Sequence, residues 1–203
     1  MSNASPFLYR VALLLVLMLI VSVADLARNG AKAIKFREYG FILIAGVFGA
    51  VIGTGTDPVT SSISPDYFVF GKGLEAGPNL PKQAALLGMR VGFSGGIMGG
   101  AIALFACRGK RAQPPARFTR LLECLWMPIS GAVLGAAVAR LVFSKLDPVR
   151  FAAQLDRLLA PAQVARFRQV WWIHVGLYAG LIAGLAAMIF IVNKKKSRIS
   201  PAQ

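Results

Sequence analysis

Residues 39–74 read YGFILIAGVFGAVIGTGTDPVTSSISPDYFVFGKGL. The first half, 39–56, carries no charged residue. Its length approaches the roughly 20 apolar residues that a helix needs to cross the hydrocarbon core of a bilayer. From Thr54 onward the stretch changes character. It holds the hydroxyls Thr54, Thr56, Thr60, Ser61, Ser62 and Ser64, the acids Asp57 and Asp66, and the prolines Pro58 and Pro65. An apolar helix that runs into so polar a stretch reads as a membrane span delivering the chain to an aqueous face.

Working outward, four more apolar runs share the pattern of the first, over 7–27, 83–107, 121–143 and 170–192. Of the 203 residues, 56% are hydrophobic and only 15% charged, a balance that excludes an ordinary soluble domain. The fold class expected is an all-α integral membrane protein. It is a single membrane domain, a helical bundle of about five transmembrane helices with a structured extracytoplasmic loop and interfacial helices. The formal charge of +15 would suggest nucleic acid in a soluble chain. Here the basic residues gather in the gaps between apolar runs, so topology explains them and no nucleic-acid partner is implied. The segments 28–38, 108–120 and 193–203 carry 13 Lys and Arg, against 8 in the larger set of Arg10, 57–82 and 144–169. Basic residues stay on the cytoplasmic side, which puts the amino terminus outside and the carboxyl terminus in the cytoplasm. The location expected is the inner membrane, with anionic lipid headgroups meeting the cytoplasmic face. Residues 1–27 also fit a signal peptide, with Arg10 before an apolar stretch. The basic residues that follow at once favour an uncleaved span, and Asp25 near its inner end reads as a partner for Arg28 or a neighbouring helix.

Gly53 and Gly55 loosen the end of the second span, and Asp57-Pro58 supports a break there because the residue before proline disfavours helical geometry. Residues 57–82 then read as a loop, and its alternating VTSSIS also fits a short strand. Ser64-Pro65-Asp66 is a helix start, with Ser64 as cap, Pro65 at the first position and Asp66 in the first turn. Tyr67, Phe68 and Phe70 suit the membrane interface. In the second outer segment, 144–169, Asp147-Pro148 and Pro161 begin two amphipathic pieces that fit interfacial helices. Trp171 and Trp172 mark where the last span meets the interface. Pro128 is placed to kink the fourth span.

Glycines recur at helical spacing. In the third span Gly88, Gly92, Gly96 and Gly100 form one row, and Gly95 and Gly99 a second. Gly46, Gly49 and Gly53 share a face in the second span, Gly131 and Gly135 in the fourth, and Gly176, Gly180 and Gly184 in the last. Rows of small residues let membrane helices approach closely, so these read as glycine-zipper packing faces, with a ligand channel as the lesser reading.

The candidate binding residues are Asp57, Thr60, Ser64, Asp66, Tyr67, Arg90, Arg140 and His174. Charges in or near hydrocarbon are costly and pair or face water, so Asp57 or Asp66 is expected to pair with Arg90 or Arg140, unless each arginine snorkels to the headgroups alone. His174 shares a face with Tyr178 and reads as an interfacial hydrogen-bonding residue. Cys107 and Cys124 end one apolar run and begin the next, and read as reduced, buried residues. No metal-ligand spacing, nucleotide loop or nucleophile elbow occurs, so no catalytic residue, metal or cofactor is assigned.

The run Asp57-Pro58-Val59-Thr60-Ser61-Ser62-Ile63-Ser64-Pro65-Asp66-Tyr67-Phe68 resembles a motif of uncharacterised bacterial multi-pass membrane proteins. There an Asp leads through Gln and Ile or Val to Thr, and then to Ile-Ser-Pro, Glu or Asp, Tyr and Phe. Pro58 departs from the pattern, where Gln is expected. The run 170–178 is similar to the last helix of that family. The resemblance implies a membrane protein with several helices and brings no activity with it. Three functions remain open. The first is a binding or assembly component that presents residues 57–74 to a membrane protein partner or to a second copy of itself. The second is a small ion or solute transporter or channel, and the third, with least support, is a lipid-modifying enzyme using Asp57, Asp66 and His174.

Overall fold

The computed structural model describes residues 4–107, 116–143, 155 and 157–197. It is helical, with no strand among the described residues. α1 spans Ala4–Asn29 and a 3₁₀ turn covers Gly30–Lys32. α2 runs over Lys35–Ile63, α3 over Pro65–Lys72 and α4 over Leu80–Cys107. α5 is Ala116–Glu123 and α6 is Trp126–Val138, extended by a π turn over Ala139–Phe143. α7 is Pro161–Ser197. Among the described residues, five helical stretches are long and apolar enough to cross a membrane: 6–32, 35–63, 80–107, 118–142 and 161–194.

The second span does not end near Thr56. α2 continues through Asp57 and Pro58 to Ile63, which removes both the break and the strand alternative. Proline forfeits the N–H bond to the carbonyl four residues back, yet neighbouring hydroxyls can re-satisfy a membrane helix around it. Here the hydroxyls turn back onto their own helix. Thr56 Oγ1 donates to Ile52 O at 2.7 Å, Thr60 Oγ1 to Thr56 O at 3.0 Å, Ser61 Oγ to Pro58 O at 2.7 Å and Ser62 Oγ to Val59 O at 2.7 Å. The helix stops where expected for a start of the next: Ser64 is extended, and its Oγ accepts from Tyr67 N at 3.3 Å with Pro65 at the first position of α3. α3 closes on Gly73 at φ 68°, whose N–H reaches Val69 O while Leu74 N–H reaches Phe68 O. A left-handed residue ending a helix in this way is best supplied by glycine.

One other boundary differs from expectation, and one break falls where Pro128 is placed to kink its span. Pro161 does not begin a separate interfacial piece; it opens α7, which continues unbroken through the last span and beyond Asn193 to Ser197. At 37 residues this helix is about 55 Å long, well beyond the roughly 30 Å of hydrocarbon. The fourth span is interrupted at Cys124 and Leu125, one turn before Pro128. Pro128 has no N–H to give the Cys124 carbonyl, and the N–H of Met127 bonds there instead at 3.0 Å. Residues 108–115 and the amphipathic segment from Asp147 to Gln154 lie outside the described residues. Of the two partners expected for Asp25, the neighbouring helix and not Arg28 is the one found, and the contact is to its backbone. The Asp25 carboxylate accepts from the backbone N–H groups of Ile34 and Lys35 at 2.8 and 2.9 Å and from Asn29 Nδ2 at 2.7 Å, so it ties the end of α1 to the start of α2.

The bundle is two helix pairs. α2 and α4 lie against each other through their glycines: a Cβ at Gly49 would run into the Gly92 carbonyl oxygen, and one at Gly53 into that of Gly88. α6 and α7 meet in the same way, Gly131 against Gly180 and Gly135 against Gly176. Two apolar clusters join the pairs at their ends. One combines Phe41, Leu104, Phe118, Leu121, Met188 and Val192. The other, at the α3 end, combines Tyr67, Phe68, Leu80, Val164, Phe167 and Val170. Between these two plugs the pairs touch less closely, and a seam remains.

Candidate functional site

α3 folds back over the seam and lays Tyr67 and Phe68 against the face of α7 made by Phe167, Val170 and His174. Those α7 residues recur at the spacing of one helical stripe. His174 is only 4% exposed. Its ring stacks on Tyr67 with centroids 5.0 Å apart, meets Phe68 edge-on at 6.0 Å and lies 6.4 Å from Tyr178. Its two nitrogens are both engaged: Nδ1 is 2.9 Å from Val170 O, and Nε2 is 3.3 Å from Asp57 Oδ1.

A carbonyl oxygen can only accept, so the Nδ1 contact is made by an N–H donating to Val170 O, and the contact of Nε2 with Asp57 Oδ1 ties the histidine of α7 to the carboxyl group of α2.

The pair lies at one end of a cavity of about 160 Å³ between α2, α4 and α7. A single water needs roughly 10–15 Å³, so the space suits a ligand-sized group. Apart from Asp57, His174, Tyr178 and Lys72, its wall is made of apolar and glycine residues, with Thr56. A narrower apolar space of about 50 Å³ continues toward the opposite plug, and the two share Gly49, Ile52, Gly95, Gly96 and Leu181. The second glycine row of the third span thus has its own role. No heavy atom lies within 4 Å of a Cβ built on Gly95, and Gly99 has only a Leu185 methyl at 3.9 Å. Both glycines border the seam without a close helix contact, whereas Gly92, Gly96 and Gly100 pack against α2 as well as lining it. Val91 and Tyr178, 46% and 43% exposed, flank the mouth between α4 and α7. Lys72, at the end of α3, reaches the mouth with its Nζ 5.5 Å from the Tyr67 ring centroid. Burial pushes the Tyr67 phenol well above its ordinary range, with Tyr178 and the Asp57 charge adding to the effect, so Tyr67 is a neutral hydroxyl at physiological pH.

Of the residues singled out in the sequence, the fold brings Asp57, Tyr67 and His174 together. Thr60 and Ser64 are buried beside them, but as braces of the helix ends. The expected pairing with arginine is replaced. Asp57 takes His174, because α7 and not α4 supplies the side chain opposite its carboxylate. Arg90 lies over the ring of Phe7 from α1, 5.8 Å from its centroid. Arg140 is exposed, and Asp66 is half-buried in the first turn of α3, beside a separate outer cleft with Ser62 and Pro78. None of the three forms an ion pair among the described residues. Sequence reasoning passes over Lys72 and Phe68 as site residues. Phe68 sits one place after Tyr67 in the aromatic run, while nothing in the sequence around Lys72 marks it. Cys107 and Cys124 form no disulfide among the described residues and lie in or beside the apolar plug of Phe41 and Met188. Among the described residues no three His, Cys, Asp or Glu side chains group as metal ligands.

No protein-family model, curated protein or solved structure matches this chain. The class that fold and site define is therefore stated from the molecule itself: a helical protein with five membrane-length apolar helices among its described residues, fitting a multi-pass membrane protein, with a buried acid–histidine pair at the end of an apolar seam.

Proposed function

We propose that this is a membrane-embedded binding protein of the bacterial cytoplasmic membrane, and that its ligand is an amphiphile held in the seam. The observation that carries this reading is the seam's polarity. An apolar, glycine-walled channel ends at Asp57, His174 and Tyr178, and opens sideways between α4 and α7. Hydrocarbon fills such a space more favourably than water, which would find few hydrogen-bond partners there, while the polar end can meet a headgroup. The sequence pointed to residues 57–74 as an outward recognition surface. Their hydroxyls bond to their own backbone and their aromatic rings are largely turned inward, which favours recognition inside the cleft. Charge distribution supports an amino terminus outside and a carboxyl terminus in the cytoplasm. Transport is the second reading, favoured by the buried contact between Asp57 and His174, since ionisable residues within membrane spans mark proton and substrate paths.

Native mass measurement on gently extracted protein tests the proposal. The expected result is a monomer or homo-oligomer that carries a lipid-sized adduct, and Val91→Trp at the mouth should lose it. A mass excess equal to a second polypeptide, with no adduct, would return the assembly reading. Orientation has its own test. In a background with Cys107 and Cys124 replaced by alanine, Gln113→Cys should label only from the cytoplasmic side, and labelling from outside would reverse the topology.

A further inference from the structure

Resting on that reading, we infer that the ligand's headgroup is anionic. The charges facing the cleft decide this. α2 contributes Asp57, α7 contributes His174 and Tyr178, α3 contributes Lys72 with Tyr67 stacked behind on His174, and the α4 residues on the wall bear no charge. Arg90 of α4 is turned to Phe7. The Asp57 carboxyl group is already engaged by His174 Nε2, 3.3 Å away. Lys72 is the one lysine or arginine lining the cleft among the described residues, with the Tyr178 hydroxyl as a neighbour able to donate. A cation and a hydroxyl donor beside a closed acid–histidine pair favour a carboxylate or phosphate and disfavour an ammonium. Below them the seam narrows among Ile52, Gly95, Gly96 and Leu181, which suits a single alkyl chain. The same chemistry is offered by a free fatty acid and by one chain of an anionic phospholipid.

Four probes separate these cases: oleate, phosphatidylglycerol, phosphatidylcholine and dodecyltrimethylammonium, each titrated into delipidated protein and followed by native mass and by the unfolding temperature. Oleate or phosphatidylglycerol should bind ahead of phosphatidylcholine, with the ammonium amphiphile weakest. The stronger of the first two identifies the source of the anion. Lys72 is exposed, so Lys72→Gln should fold normally. It should weaken anionic binding roughly fivefold, the value of one partly screened ion pair, and leave phosphatidylcholine unchanged. Val91→Trp should block every probe. If Val91→Trp and a second mouth variant, Leu177→Trp, fold yet bind all four like the parent, the cleft itself is not the site. If they block binding but Lys72→Gln binds the anionic probes as tightly as the parent, or the ammonium probe binds best, the cleft stands and the anionic assignment falls.

Discussion

A single long-range contact, 3.3 Å between His174 Nε2 and Asp57 Oδ1, sets what the site can do, and substitutions separate its two properties. Asp57→Leu leaves His174 Nε2 buried without a partner, and should destabilise the protein by about 3 kcal/mol. Asp57→Asn keeps an amide donor for a neutral imidazole nitrogen and should cost much less. Denaturant unfolding in mild detergent measures both, and equal losses would show that packing rather than the polar contact matters at residue 57. Tyr67 supplies a pH test. Its folded pKa is raised, chiefly by burial, while the unfolded phenol ionises near its ordinary value of about 10. The unfolded state therefore loses its proton first. The stability tied to Tyr67 is complete below about pH 10 and is lost as pH rises from there toward the folded value. In the folded protein, phenolate absorbance up to pH 11 should be the same for the parent and for Tyr67→Phe. A phenolate missing from the variant near pH 10 would mean that the ring is wet. The two ends of this site were visible in the sequence as an acid and a histidine flanked by apolar runs. Their pairing was not visible, because 117 positions separate them and the choice between His174 and the arginines is made by which helix faces α2 at that level.

Among the elements, glycine does two different things, and they can be told apart by substitution. Gly49 meets the Gly92 carbonyl, so Gly49→Ala must push α2 from α4 and should cost about 2 kcal/mol. Gly55, in the same helix, has open space where a Cβ would project, with no heavy atom within 4 Å. There Gly55→Ala should be neutral or gain up to about 1 kcal/mol from helix propensity. Thermal unfolding of the pair of variants decides it, and similar losses at both positions would deny the close helix contact. Periodicity exposed these rows because helix geometry fixes which residues share a face. It could not say which row meets a helix and which borders a gap, since Gly95 and Gly96 look alike until α7 is in place. The end of α2 was hidden for a related reason. Hydroxyls, a proline and an acid in succession are turn chemistry in water. Thr56, Thr60, Ser61 and Ser62 instead donate to carbonyls one turn back, which lets the helix carry its polar residues past Pro58. By contrast the Ser64-Pro65 start of α3 was legible, because a cap is written in adjacent residues.

Across the whole molecule, the glycine pairs and the apolar plugs divide the work. α2 with α4 and α6 with α7 are each locked by backbone contact, and the plugs at the two ends hold one pair against the other. The seam is then a gap that tighter packing could have closed, and retaining it sacrifices contact between the pairs. This makes filling the seam the sharpest test of the arrangement. A leucine in place of Gly95 projects into open space that borders both the wider cavity and its narrow extension. Filling a cavity commonly adds about 0.5–2 kcal/mol, so Gly95→Leu should raise the unfolding temperature of the lipid-free protein. It should also abolish amphiphile binding, because the side chain occupies the path of the alkyl chain. The two effects together, greater stability with lost binding, distinguish a seam kept open for a ligand from one that is only imperfect packing, which would gain stability and lose nothing. A fall in unfolding temperature would show instead that α7 already closes on Gly95, and that the two helix pairs meet too tightly to leave an open seam.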